Sequence, residues 1–150
     1  SEFEVYGSEA VTTGSVPVTS TTTSVPIATT TTIAATPSAQ PAIGENLALK
    51  KVVQASSTES GKSPSDAVDG KVSTRWASNA TDNEWLAIDL GKSAVVNKIV
   101  LNWEAAAGKE YKVRISSDNI SWTDIESVTN GAPGIRTINV NNITGRYVRM

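Results

Sequence analysis

The chain has 150 residues, with 15 Asp and Glu against 13 Lys and Arg, no His and no Cys. Thiol nucleophiles, imidazole bases, disulfide frameworks and the usual zinc sites are thereby excluded. No stretch approaches the roughly 18 apolar residues of a membrane span, and a formal charge of −2 gives no reason to look for nucleic acid.

Residues 1–7, Ser-Glu-Phe-Glu-Val-Tyr-Gly, alternate apolar Phe3 and Val5 with charged Glu2 and Glu4 and then reach a glycine. This predicts a half-buried strand that stops at Gly7, and a lone strand is not stable without a neighbour. The stretch 8–45 follows, and within 8–44 there are 16 Ser or Thr, four Pro, no aromatic residue and one charge, Glu9. Such a composition buries too little apolar surface to offset the entropy of ordering it, so it reads as an extended Thr/Ser/Pro linker. All four Trp and all 13 basic residues lie at or after Lys50. The foldable domain is therefore 46–150, whose scattered excess of two positive charges is too weak to imply nucleic acid or an anionic membrane.

From Asn46 the pattern is all-β. Trp85 to Leu90, Lys98 to Trp103, Tyr111 to Ser116, Ile135 to Val140 and Arg146 to Met150 alternate at period two. Turn signals stand between them at Asp69-Gly70, Gly91-Lys92, Ser117-Asp118-Asn119, Asn130-Gly131 and Pro133-Gly134. Short strands punctuated in this way predict a β-sandwich, with Trp76, Trp85 and Trp122 in its core and Trp103 divided between core and site.

Asn46-Leu-Ala-Leu, Ala67-Val-Asp-Gly70 with Ser73-Thr-Arg-Trp76, Trp85-Leu-Ala-Ile-Asp-Leu-Gly91, Ser116-Ser-Asp-Asn-Ile-Ser-Trp122 and Arg146-Tyr-Val-Arg-Met150 occur in this order. Together they resemble the discoidin, or coagulation factor five/eight type C, domain, and among its members the bacterial family 32 carbohydrate-binding modules. The resemblance implies a discoidin-like jelly-roll β-sandwich. It also implies a closing strand, written much like residues 1–7, after the strand that holds Arg146 to Met150. Residues 1–7 are then expected to be the closing strand of a preceding similar module, and 46–150 a module that lacks its own. Docking of 1–7 into the vacant edge of the chain's own module, or exchange of that strand between chains, is the further expectation.

Asp66 to Thr74 offers two carboxylates, a hydroxyl and exposed carbonyls, a set suited to calcium or to a plain Asp-Gly turn. The resemblance implies a structural calcium held by Asp69, by Thr74, by main-chain oxygens of Asp66 and Lys71, and by Glu2 in the role of the closing-strand acid. It also implies a sugar site at Glu59, Arg75, Trp103 and Glu104. Two acids beside a planar two-donor fork suit paired hydroxyls or a cationic amino sugar such as glucosamine. The same residues also read as surface charges with an Arg75 salt bridge. Pairing Glu59 with Glu104, or Asp66 with Asp69, as glycosidase acids requires a ring-sized cleft that a sandwich of this size rarely has.

The expected function is a non-catalytic module that targets a secreted bacterial glycoside hydrolase to chitosan, β-glucan or a similar polysaccharide. A tandem copy of the module and a catalytic domain are expected elsewhere in the parent chain. An extracellular adhesion module with apolar loop tips, binding a protein or lipid surface, is the alternative.

Overall fold

The structure, a computed structural model, describes residues 2–10 and 44–150. Most of the linker expected over 8–45 lies outside the described residues. Six strands follow in chain order: β1 (Phe3–Glu9), β2 (Val52–Ala55), β3 (Leu86–Trp103), β4 (Tyr111–Ser116), β5 (Thr123–Val128) and β6 (Gly134–Arg149). One 3-10 turn, Pro64–Ala67, stands between β2 and β3. All pairings are antiparallel, in the order β1-β3-β6-β4-β5, with β2 also on β3.

Two long strands build the sandwich. The first half of β3 pairs with β2, Val52 opposite Asp89 and Ala55 opposite Leu86, and its second half pairs with β1. β6 accompanies both halves, with register shifts between Asp89 and Ala94 and between Val96 and Lys98. Long strands that bend at such irregularities pass from one layer to the other and close the core between them. Leu86, Ile88, Val96 and Ile99 of β3 meet Val5, Val68, Val113 and Val148 there, all fully buried.

The sequence pattern is corrected in three places. The predicted pairs of short strands at 85–90 with 98–103 and at 135–140 with 146–150 are continuous strands. Gly91-Lys92 is a bend inside β3, made possible by the left-handed φ of +85° at Gly91, and Asn142 does the same in β6 at φ +51°. β5 was not anticipated, because Thr-Asp-Ile-Glu-Ser-Val lacks clean alternation and half of it faces solvent.

β1 is not a lone strand. Phe3 to Glu9 lies opposite Leu101 to Ala94, and the Ala10 amide continues the ladder to Ser93 O at 3.0 Å. On its other side the Asn46 carboxamide oxygen accepts from the Val5 amide at 3.1 Å, and the Leu47 amide returns a bond to Val5 O at 2.7 Å. Gly7 does not end the strand but carries it past a bulge between Tyr6 and Gly7. A Cβ there would lie 2.0 Å from Val95 O, a main-chain atom that cannot step aside. Gly7→Ala is therefore expected to cost about 1–3 kcal/mol, read as a lower urea midpoint at unchanged m-value; an unmoved midpoint would mean that β1 does not approach β3 this closely.

Candidate functional site

At one end of the sandwich a groove of about 1100 Å³ runs between the loops, and all four expected sugar-site residues line it. They come from distant stretches. Glu59 stands in the loop after β2, where its amide donates to Ala77 O at 2.8 Å. Arg75 follows the Asp69 loop, and Trp103 and Glu104 stand at the end of β3. Arg75 Nη1 donates to Glu104 Oε1 at 2.7 Å, so the salt bridge of the plainer reading is present, inside the groove. The Glu59 carboxylate has no ion-pair partner among the described residues.

Trp103 is half-buried and packs against the core. Its ring lies 5.1 Å from that of Tyr111 at an angle of 51°, and its Nε1 donates to the Tyr111 hydroxyl at 3.3 Å. The two rings form a rigid wall of the groove, offering the apolar surface that a pyranose face requires. Behind them the Gly131 amide donates to Lys109 O at 2.8 Å, and a Cβ on Gly131 would meet Gly108 O at 2.0 Å. Residues 104–110 are thus held against the 129–133 turn with no room for a side chain.

The opposite wall, residues 76–85, is braced by Glu84, a residue not singled out from the sequence. Its carboxylate accepts from the hydroxyls of Ser56, Ser57 and Thr81. These donors hold its pKa below the usual value, Ser56 contributing most. Ser57 in turn accepts the Asn79 amide at 2.9 Å, and its carbonyl accepts Trp76 Nε1 at 3.1 Å. Trp76, Trp85 and Trp122 are half-buried, Trp76 packing against the core as Trp103 does, since an indole in so small a sandwich seldom loses all contact with water. Trp76 and Trp85 line the groove. The exposed apolar side chains Leu49, Val52, Val72, Ile120 and Ile135 do not.

The Asp69 loop gathers four of the five expected calcium ligands. The Thr74 hydroxyl lies 3.0 Å from both Asp69 carboxylate oxygens and 2.9 Å from Lys71 O, and the Lys71 amide donates to Asp69 Oδ1 at 2.8 Å. Glu2 enters from β1, whose Asn102 partner donates its amide to Glu2 O at 2.8 Å. Asp66 sits in the 3-10 turn, its amide bonded to Ser63 O at 3.0 Å, and its side chain takes no part in these bonds. The Glu2 side chain is 6 % exposed, and neither carboxylate oxygen has a hydrogen bond of acceptable geometry. Burial, then the neighbouring Asp69 carboxylate, push its pKa up to about 7, against the pull of the Lys71 amide. Among the described residues no group of three or more acidic side chains is placed to hold a metal ion. Two carboxylates, one of them buried without a partner, together with a hydroxyl and main-chain oxygens fit a hard, oxygen-seeking cation.

With this geometry in hand, residues 66–150 match the F5/F8 type C family described as NedA-like, galactose-binding domain. Chitosan-binding module 1 of a chitosanase/glucanase from Paenibacillus sp. IK-5 is 40% identical with a TM-score of 0.68, covering 71% of this chain and 84% of that one. Module 2 of the same enzyme, solved with chitotriose, is 35% identical with a TM-score of 0.66, covering 69% of this chain and 84% of that one. The polysaccharide lyase 8 family protein HylA of Enterococcus faecalis (strain ATCC 700802 / V583) is 32% identical over 117 residues, 69% of this chain. This chain spans 8% of the length of that relative. The jelly-roll sandwich is thus of the discoidin type.

Proposed function

As the chain belongs to the F5/F8 type C family of galactose-binding-like domains, we propose that it is a non-catalytic carbohydrate-binding module whose groove holds an amino-sugar polymer such as chitosan. The observation that carries this reading is the convergence of Glu59, Arg75, Trp103 and Glu104 on one groove. An ammonium group in place of a sugar hydroxyl would find Glu59 unpaired and Glu104 shared with Arg75, while the ring lies against Trp103. Relatives that bind chitosan and chitotriose at 40% and 35% identity support the same class of ligand. The module's work is targeting: it raises the local concentration of a catalytic domain on its polysaccharide. We place it in a secreted bacterial polysaccharide-degrading enzyme of the glycoside hydrolase kind, alongside a catalytic domain and a tandem copy of the module, outside the cell.

Calcium is part of the proposal as a structural ion, held by Glu2, Asp69, Lys71 and Thr74, with Asp66 contributing a main-chain oxygen. When bound, it would supply positive charge to offset the Glu2 and Asp69 carboxylates. Without it, the bonds among Asp69, Lys71 and Thr74 fix the loop that leads into Arg75.

Calorimetry with glucosamine oligomers tests the sugar site. Loss of a charge-assisted hydrogen bond costs about 1.5–3 kcal/mol, so Glu59→Gln and Glu104→Gln should each weaken binding by roughly 10- to 100-fold. The melting temperature should hardly move, because the Arg75 and Glu104 pair is solvent-exposed. Fully N-acetylated oligomers should bind far more weakly; equal binding would remove the ammonium from the argument.

A further inference from the structure

The register of β4 on β6 places Arg114 directly opposite Arg149. Like charges at opposite positions of an antiparallel pair repel and destabilise the sheet. Arg114 Nε lies 2.7 Å from Asp124 Oδ1, without hydrogen-bond geometry, and Lys112 Nζ lies 2.6 Å from Asp124 Oδ2. One carboxylate is thus shared by two cations. Arg149 has no carboxylate partner among the described residues. Its guanidinium instead lies 4.2 Å from the centre of the Trp122 ring and 5.9 Å from that of Trp85. Cation-π contact accounts for a guanidinium over an indole. It does not account for a second guanidinium facing it, and burial together with Arg114 lowers the Arg149 pKa.

Lys112, Arg114, Arg149 and Trp85 line the groove that also holds Glu59 and Glu104. The groove thus holds Lys112, Arg114 and Arg149 besides Glu59, Arg75 and Glu104, while Asp124, the one carboxylate paired with Lys112 and Arg114, does not line it. We infer that Arg149, backed by Trp122, and Arg114, with Trp85 beside them in the groove, form a second subsite for the anionic group of an acidic sugar residue, a carboxylate or a sulfate ester. Paired guanidinium forks match such oxygens in plane, and the Trp85 indole offers apolar surface to the ring that carries them. An anion there would also relieve the repulsion between the two arginines. This subsite rests on the reading of the groove as a saccharide site and extends its ligand to polymers that carry both amino and acidic sugars.

The test uses the whole chain and four probes: an oligogalacturonate, its methyl ester, a sulfated oligosaccharide and a glucosamine oligomer. The oligogalacturonate should shift the indole N–H signals of Trp85 and Trp122 in the wild-type protein, the methyl ester should not, and the sulfated arm tells whether sulfate serves as well. Arg149→Gln and Arg114→Gln should each reduce oligogalacturonate affinity roughly 10-fold or more and leave glucosamine-oligomer affinity within about twofold. Unmoved indole signals, equal binding of acid and ester, or full affinity in folded variants would overturn the subsite. If the oligogalacturonate binds as described and glucosamine oligomers do not bind at all, the amino-sugar reading falls and the anionic subsite stands. If no probe binds, both fall.

Discussion

Phe3→Ala is expected to destabilise the domain by about 3–5 kcal/mol and to lower its melting temperature by roughly 12 °C or more. The reasoning starts from burial. Phe3 is 2 % exposed and Val5 fully buried, so β1 contributes two of the side chains that fill the core. It also covers β3 from Ala94 to Leu101, a strand whose other edge is taken by β6. Without β1, the amides and carbonyls of β3 on that side would lose their ladder, and Ile99 and Leu101 would lose part of their cover. The loss would spread, because the Asn46 carboxamide that bonds the Val5 amide also bonds the Ala48 amide. Unlike the other strands, β1 reaches the sheet from a stretch far away in sequence, so its docking is separable from the folding of the rest. Residues 44–150 alone should melt early or not cooperatively, and a synthetic peptide of residues 1–10 should restore the transition in a concentration-dependent way. A Phe3→Ala transition within about 1 kcal/mol of wild type would show that β1 lies outside the cooperative unit.

What the sequence revealed, and what it did not, follows from the range of each interaction. Period-two alternation is local, and it located most of the ladder: Lys98 to Trp103 and Tyr111 to Ser116 are strands where the pattern placed them. Whether a glycine ends a strand or bends it is decided by the neighbouring strand. Gly91 therefore reads as a turn in the sequence, although Ala94 resumes pairing with Gly145 three residues later. The sugar-site residues are legible only through the family resemblance, because no spacing rule brings Glu59, Arg75 and Glu104 together across three loops. Glu84 gave no signal, since its three hydroxyl partners are ordinary Ser and Thr in a chain rich in both. The opposition of Arg114 and Arg149 exists only in the register of two strands and has no counterpart in the linear sequence.

The second large effect concerns the cation. Glu2→Gln is expected to raise the melting temperature of calcium-free protein at pH 8 by about 4–8 °C, the equivalent of about 1 kcal/mol, and to remove most of the response to calcium. In the native state burial and Asp69 push the Glu2 carboxyl up to about 7, from the ordinary 4.5. Its folded pKa thus lies above its unfolded one, so the native state binds the proton more tightly. The associated stability is complete below about 4.5 and is lost as pH rises through about 7. Asp69 has the opposite sign: despite burial, the Lys71 amide and the Thr74 hydroxyl keep its pKa low, and its contribution is lost only in acid. Calcium-free wild type should therefore weaken between pH 5 and pH 8, and Glu2→Gln should not. A cation held by these residues would offset the penalty and add its own binding energy, about 2.7 kcal/mol at a hundredfold excess over Kd. Melting curves at pH 5 and pH 8, with calcium and with a chelator, separate the two effects. The expected pattern is a large calcium gain for wild type at pH 8, a small one at pH 5, and little at either pH for Glu2→Gln or Asp69→Asn. An equal calcium gain in Glu2→Gln would exclude Glu2 as a ligand, and the tie between β1 and the Asp69 loop would then rest on packing alone.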